Sequence, residues 1–75
     1  MTIRSVGDAG RIQKLRKLYQ NQNIEIETLI AKEYNYNEVV ISELGGVWAR
    51  EGETGEMLSK VELGVVADFL EKKLL

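Results

Sequence analysis

The stretch EVVISELGGVWARE, from Glu38 to Glu51, decides the fold of this chain. It places the β-branched run Val39-Val40-Ile41 before the pair Gly45-Gly46, and a second apolar run with the only tryptophan after that pair. β-branched residues favour strands, and a glycine pair between two apolar runs is typical of a two-residue hairpin. The stretch therefore predicts two antiparallel strands that are joined at the glycine pair.

A two-residue turn at Gly45-Gly46 also predicts the register of the two strands. On the mainly apolar face, the expected pairs are Leu44 with Val47, Ser42 with Ala49, and Val40 with Glu51. On the amphipathic face, the expected pairs are Glu43 with Trp48 and Ile41 with Arg50. Because side chains alternate along a strand, this register assigns every residue to one face of the sheet.

The same residues also fit a different fold. Residues 37 to 44 would be the second helix of a unit that resembles a helix-turn-helix, with Ala31 allowing a close helix crossing and Asn37 as the cap. The hairpin that follows would then be the wing of a winged helix. The outward face of that helix shows Glu38 and Glu43 without Arg or Lys, which is a poor surface for DNA phosphates. We therefore prefer the strand, with the winged helix-turn-helix as the alternative.

Both interpretations contain a hairpin over residues 47 to 59. The turn Gly52-Glu53-Thr54-Gly55 leads the chain into a third strand, expected around Glu56 to Ser59. The carboxylates at this tip are expected to be solvated, because nothing in the sequence marks a cleft that would shift their pKa values. The hairpin therefore offers no pair of carboxylates for acid–base catalysis.

Three helices are expected around this sheet. The first runs from Asp8 or Ala9 to about Asn21, and the second runs to Tyr34 from a cap at Asn23 or Thr28. The inward positions of the first helix are Ile12, Leu15, Leu18 and Tyr19. Those of the second helix are Ile26, Leu29, Ile30 and Tyr34. A turn at Asn35-Tyr36-Asn37 follows, since asparagine tolerates left-handed backbone angles.

The C-terminal helix begins at a capping box, in which Ser59 and Glu62 stand three residues apart. Its inward stripe consists of Leu63, Val66, Ala67, Leu70 and Leu74. Val61, Val65 and Phe69 form an adjoining apolar arc, which is wider than a thin core requires. The arc therefore indicates either a helix that is buried on two sides or a surface for a partner.

The composition predicts one small α+β domain over residues 1 to 75, with residues 1 to 7 at a frayed end. There is no Cys and no His, so disulfides and the usual zinc sites are excluded, and neither a metal nor a cofactor is expected. The sequence shows no apolar stretch that would span a membrane or act as a signal peptide, so a cytoplasmic location is the default expectation.

Charge is distributed unevenly along the chain. Residues 1 to 22 carry five basic residues against one acidic residue, a net +4, whereas residues 23 to 75 carry five against eleven, a net −6. A basic segment of this kind binds a polyanion, binds an acidic partner, or folds back onto the acidic surface of its own chain. The candidate contact residues are Arg11, Lys14, Arg16 and Lys17.

The function expected from these features is that of a small non-enzymatic regulatory or protein-interaction module. Its partner would be another protein or a second copy of the chain. The candidate interface residues are Val61, Val65, Phe69 and Trp48. The alternative is a winged-helix DNA-binding transcriptional regulator, although the acidic central stretch disfavours nucleic acid. An enzyme is not expected, because no catalytic constellation or phosphate-binding loop is present.

Overall fold

The computed structural model describes residues 7 to 74, and its elements follow the order helix, helix, three strands, helix. The helices and strands, in chain order, are α1 (Gly7–Gln20), α2 (Ile26–Tyr34), β1 (Glu38–Ile41), β2 (Val47–Glu51), β3 (Thr54–Met57) and α3 (Lys60–Leu74). The strands form one antiparallel sheet in the order β1-β2-β3. The predicted α+β architecture is thus confirmed.

The winged helix-turn-helix alternative is wrong, because Glu38 to Ile41 form a strand. Val39 and Ile41 are buried while Glu38 and Val40 are exposed, an alternation that a strand with one face on the core produces. The β-branched side chains pack well on such a pleated surface. The local preference of this run therefore agrees with its place in the fold.

The predicted register of β1 and β2 is also wrong. Ile41, not Leu44, lies opposite Val47, and Val39 lies opposite Ala49. The difference is three residues, an odd number, so it exchanges the two faces of β1. Ile41 therefore points into the core, whereas Val40 points outward. Leu44, which was expected to pair on the apolar face, is 83% exposed.

A five-residue loop, residues 42 to 46, replaces the expected two-residue turn. The Ser42 amide donates to the Gly46 carbonyl, and the Gly46 amide donates back to the Ser42 hydroxyl oxygen (3.0 Å). Gly45 has a φ of +92° and lies against the backbone of Ala9 in α1. The loop therefore closes on its own hydrogen bonds and packs against the first helix.

The second hairpin is confirmed, with different bounds. β3 begins at Thr54 and ends at Met57, earlier than the expected strand around Glu56 to Ser59. Glu51 lies opposite Thr54, so the turn consists only of Gly52 and Glu53. Gly52 has a φ of +65°, a conformation that glycine adopts without steric strain.

The ends of α2 depart in part from the prediction. Neither Asn23 nor Thr28 caps the helix; Glu25 occupies the N-cap position without a side-chain hydrogen bond to the backbone. Asn23 instead adopts a positive φ of 62° in the turn after α1. At the other end Asn35 takes the left-handed conformation that the turn prediction requires, with φ +59°.

The capping box at the start of α3 is confirmed. The Glu62 amide donates to the Ser59 hydroxyl at 3.2 Å, and the Ser59 amide donates to the Glu62 carboxylate at 2.7 Å. In the stripe that follows, Leu63 and Leu74 are half-buried. Its fully packed members are Val66, Ala67 and Leu70.

The core lies where α1 runs along α3 and where α2 covers β1. Its most deeply buried large side chains are Ile12, Ile26, Ile30, Val47 and Leu70. Leu18, predicted as an inward residue of α1, is 44% exposed because the helix buries only the stripe of Ile12, Leu15 and Tyr19.

No helix within residues 7 to 74 is long and apolar enough to cross a membrane. The predicted fraying lies outside these residues, except at Gly7, which is already helical.

Tyr19 links two helices through a buried hydrogen bond, since its hydroxyl donates to the Leu70 carbonyl at 2.8 Å. Burial raises the pKa of Tyr19 above its ordinary value of 10.0. The pKa of Tyr19 is therefore higher in the folded protein than in the unfolded chain. The neutral Tyr19 hydroxyl contributes fully to the free energy of unfolding below about pH 10, and this contribution is lost as the pH rises through the folded-state pKa.

We expect Tyr19→Phe to lower the free energy of unfolding by about 1 kcal/mol at neutral pH and to weaken the alkaline loss of stability. Urea unfolding at a series of pH values measures both effects. Burial also raises the pKa values of Tyr34 and Tyr36, so some alkaline dependence persists in the variant. An unchanged alkaline slope would show that Tyr19 does not contribute to it.

Candidate protein-interaction site

The outer arc of α3 carries exposed apolar side chains. Val61 and Val65 stand one helical turn apart and are 77% and 52% exposed. Phe69, one turn further on, is half-buried. Residues at this spacing lie on the same face of a helix, so the three predicted interface residues of α3 form one stripe.

Two tyrosines adjoin this stripe. The rings of Phe69 and Tyr34 form a T-shaped contact, with centroids 5.8 Å apart. Tyr34 in turn lies 6.2 Å from Tyr36, centroid to centroid. The Lys73 ammonium lies 5.8 Å from the Phe69 centroid, within the range of a cation–π contact. The rings thus form a continuous aromatic wall beside Val61 and Val65.

We call the resulting surface the α3 groove. It consists of two adjoining recesses that share Tyr34 and Val65. The smaller recess, about 170 Å³, is lined by Tyr34, Tyr36, Leu58, Val61, Glu62, Val65 and Val66. The larger, about 530 Å³, is lined by Glu33, Tyr34, Val65, Asp68, Phe69, Glu71 and Lys72. The groove is thus an apolar trough with charged rims, the form of many surfaces that receive a helix.

Trp48, the fourth predicted interface residue, lies elsewhere. It occupies the outer face of the sheet, directly between Val40 on β1 and Met57 on β3. Its ring lies over Gly55, where an added Cβ would approach Trp48 Cζ2 to 2.1 Å. The structure therefore places Trp48 in a separate apolar row across the sheet, away from the α3 groove.

Arg11 is surrounded by carboxylates of its own chain. Its guanidinium contacts Asp8 within α1 and reaches Asp68 and Glu71 on α3, each at 2.7 Å. These hydrogen bonds, led by the one to Glu71, raise the pKa of Arg11 above its ordinary value. For this residue the structure shows the arrangement in which the basic segment folds back onto the acidic surface.

The other three candidate polyanion contacts are divided between two environments. Arg16 pairs with Glu27 of α2 at 3.4 Å, and its Nε is buried without a hydrogen bond to the described residues. Lys14 and Lys17 are exposed on the outer face of α1. Of the four basic residues of α1, two are therefore exposed to solvent and two are partly buried beside carboxylates.

A further recess, which was not predicted from the sequence, lies on the core side of the hairpin. About 290 Å³ in volume, it is lined by Tyr36, Ala49, Glu51, Thr54, Glu56, Leu58 and Glu62. Burial raises the pKa of Tyr36, and the negative charges of Glu62, Glu51 and Glu56 raise it further. We call this surface the acidic recess. Alternation along the hairpin, which places Glu51 and Glu56 on one face, was the signal that could have revealed it.

The described residues show no arrangement for metal chemistry. Within residues 7 to 74, no group of three or more His, Cys, Asp or Glu side chains is placed to hold a metal ion. In the acidic recess, one Glu62 oxygen already accepts the Ser59 amide.

Comparison with known proteins adds no relationship to this picture. The chain matches no protein-family model, no curated protein and no solved structure. A function for the chain therefore has to be inferred from its own residues and their geometry.

Proposed function

We propose that this chain is a small non-enzymatic regulatory or protein-interaction module that binds through the α3 groove. The occupant is the apolar face of a partner helix or the same groove of a second copy. The observation that carries the proposal is the exposed stripe of Val61 and Val65 beside the aromatic wall of Tyr34, Tyr36 and Phe69.

The stripe is not explained by the needs of the core. The residues that α3 buries against the fold are Val66, Ala67 and Leu70, and of these only Val66 borders the groove. Covering an exposed Val side chain contributes up to roughly 1.5 to 3 kcal/mol, so Val61 and Val65 together favour association. Rigid aromatic rings such as Phe69 and Tyr34 are frequent anchors at the centres of interfaces.

The DNA-binding alternative has little support from this geometry. The segment that would be its recognition helix is β1, and Arg11 is occupied by three carboxylates of the same chain. Phosphate binding depends on several unneutralised cations acting together. Of the four candidate contacts in α1, Lys14 and Lys17 are the exposed ones, and two lysines make a narrow surface for that purpose.

The proposal is tested by comparing Val65→Asp with Val40→Asp. The two valines are similarly exposed, 52% and 48%, but Val40 lies on the outer face of the sheet. Sedimentation velocity over a range of concentrations measures self-association. Titration with a neutral amphipathic helical peptide, leucine-rich on one face, measures partner binding by NMR.

We expect wild type to self-associate or to bind the peptide, with shifts centred on Val61, Val65 and Phe69. Val65→Asp should weaken that association at least about tenfold, because an unpaired carboxylate in an apolar contact is costly. Val40→Asp should leave it unchanged. The proposal would be contradicted if the wild type neither self-associated nor bound the peptide. It would also be contradicted if the two variants weakened association equally.

A further inference from the structure

The strand β3 forms an open edge of the sheet. Among residues 7 to 74 it pairs with β2 on one side and with no strand on the other, and all four of its residues, Thr54 to Met57, are exposed. The unpaired backbone groups of such an edge attract another strand, and proteins protect edges by keeping them short or with charged side chains, proline or a bulge. β3 is short and carries one charged residue, Glu56, which favours some added strands over others. This edge carries no lysine and no proline.

The hydrogen-bond pattern shows which groups of β3 are free to pair. The Leu58 amide donates to the Val47 carbonyl of β2 at 2.8 Å. Backbone groups point alternately to the two sides of a strand, so those of Thr54 and Glu56 also point toward β2. The amides and carbonyls of Gly55 and Met57 therefore point away from the sheet, where another strand would meet them.

The two faces beside this edge differ in chemistry. On the core side, Glu56 and Thr54 border the acidic recess, together with Glu51. On the outer side, Met57 is 58% exposed and continues the row of Trp48, whose ring reaches the edge over Gly55. Side chains of an added strand would alternate between these faces. The side chain opposite Glu56 would meet carboxylates, and the side chains of the residues before and after it would meet the apolar surface.

A second copy of β3 is a poor occupant of this edge. An antiparallel pair centred on Glu56 would use the free groups of both Gly55 and Met57. It would also set Glu56 directly opposite the same residue of the other copy, about 5 Å away, and like charges in that position are unfavourable. A strand with a cation at this position is electrostatically complementary.

We propose that the β3 edge binds an extended peptide segment in which one Lys or Arg stands between two apolar residues. The segment adds a fourth strand to the sheet through the backbone groups of Gly55 and Met57. Its basic side chain enters the acidic recess, and its apolar neighbours cover Met57 and Trp48. The acidic recess adjoins the α3 groove and shares Tyr36, Leu58 and Glu62 with it, whereas Thr54 and Glu56 of β3 border the acidic recess and not the groove.

Three synthetic peptides test the proposal: acetyl-Thr-Val-Lys-Val-Thr-amide, the same peptide with Glu in place of Lys, and the Lys peptide with N-methylated valines, which cannot donate to a strand. Backbone NMR shifts and amide hydrogen exchange at Gly55 and Met57 report on strand addition. The matched protein variants are Glu56→Gln, which removes a charge from the recess, and Glu53→Gln, which removes one from the neighbouring turn.

We expect the Lys peptide to shift the Gly55 and Met57 amides and to slow their exchange. The Glu and N-methylated peptides should bind at least about tenfold more weakly. Glu56→Gln should weaken binding of the Lys peptide roughly 3- to 10-fold, since a partly exposed ion pair contributes modestly to affinity. Glu53→Gln should leave the affinity for that peptide unchanged. Equal binding of the Lys and Glu peptides, or no binding at millimolar concentration, overturns the proposal. Shifts confined to Val61 and Val65 overturn it too, while leaving the α3 groove proposal intact.

Discussion

Replacing Gly45 with alanine is expected to destabilise the domain by about 2 to 6 kcal/mol. A φ of +92° strains any residue with a Cβ, at about 1 to 3 kcal/mol. The new Cβ would also lie 2.0 Å from the Ala9 carbonyl oxygen, so the loop or α1 has to move, which adds about 1 to 3 kcal/mol. A chain of this length has a free energy of unfolding of only about 4 to 11 kcal/mol, so the effect is large.

Urea denaturation followed by tryptophan fluorescence measures this loss, and Gly46→Ala is the control. Gly46 does not have a positive φ, and its added Cβ would meet the flexible end of Met57 at 3.2 Å. We expect Gly46→Ala to stay within about 1 kcal/mol of wild type. Equal loss of stability in the two variants would show that Gly45 has no special role in the loop.

The second large effect is expected from Leu70→Ala. Leu70 is 0% exposed, and alanine would leave a cavity between packed elements. Removing a buried leucine side chain in this way lowers the free energy of unfolding by about 2 to 5 kcal/mol. Thermal and urea unfolding, monitored by circular dichroism, measure the change.

Val61→Ala is the matched control, because it shortens an exposed side chain on the same helix. Its effect on stability should remain within about 0.5 kcal/mol. The contrast separates the buried stripe of α3 from the arc assigned to binding. A loss for Val61→Ala as large as that for Leu70→Ala would mean that the arc belongs to the core.

Elements with strong local signals could be predicted from the sequence. The capping box that marks the start of α3 involves only Ser59 and Glu62, three residues apart, so it is visible in the sequence. The β-branched run of β1 likewise favours a strand, and its side chains alternate between buried and exposed. The register of β1 could not be predicted in this way. The loop that joins β1 to β2 has five residues instead of two, and its Gly45 lies against Ala9, a residue far away in the chain.

The candidate site was predictable to a similar extent. Helical spacing alone grouped Val61, Val65 and Phe69, and the fold keeps them on one face. Spacing gives no information about what lies beside that face, so Tyr34 and Tyr36 were not recognised as its aromatic wall. Tyr34 reaches the stripe through its ring contact with Phe69, and Tyr36 adjoins Tyr34. The Tyr34–Phe69 contact joins residues far apart in the chain.

The sequence by itself determined the type and order of the elements, because helix caps, apolar periodicity and β-branched runs act between residues a few positions apart. Only the tertiary structure decided the faces of β1, the open edge at β3 and the ion pairs of Arg11 with Asp68 and Glu71. The physical reason is distance along the chain. These features arise from contacts between separate elements, whose relative placement is fixed by burial of the shared core.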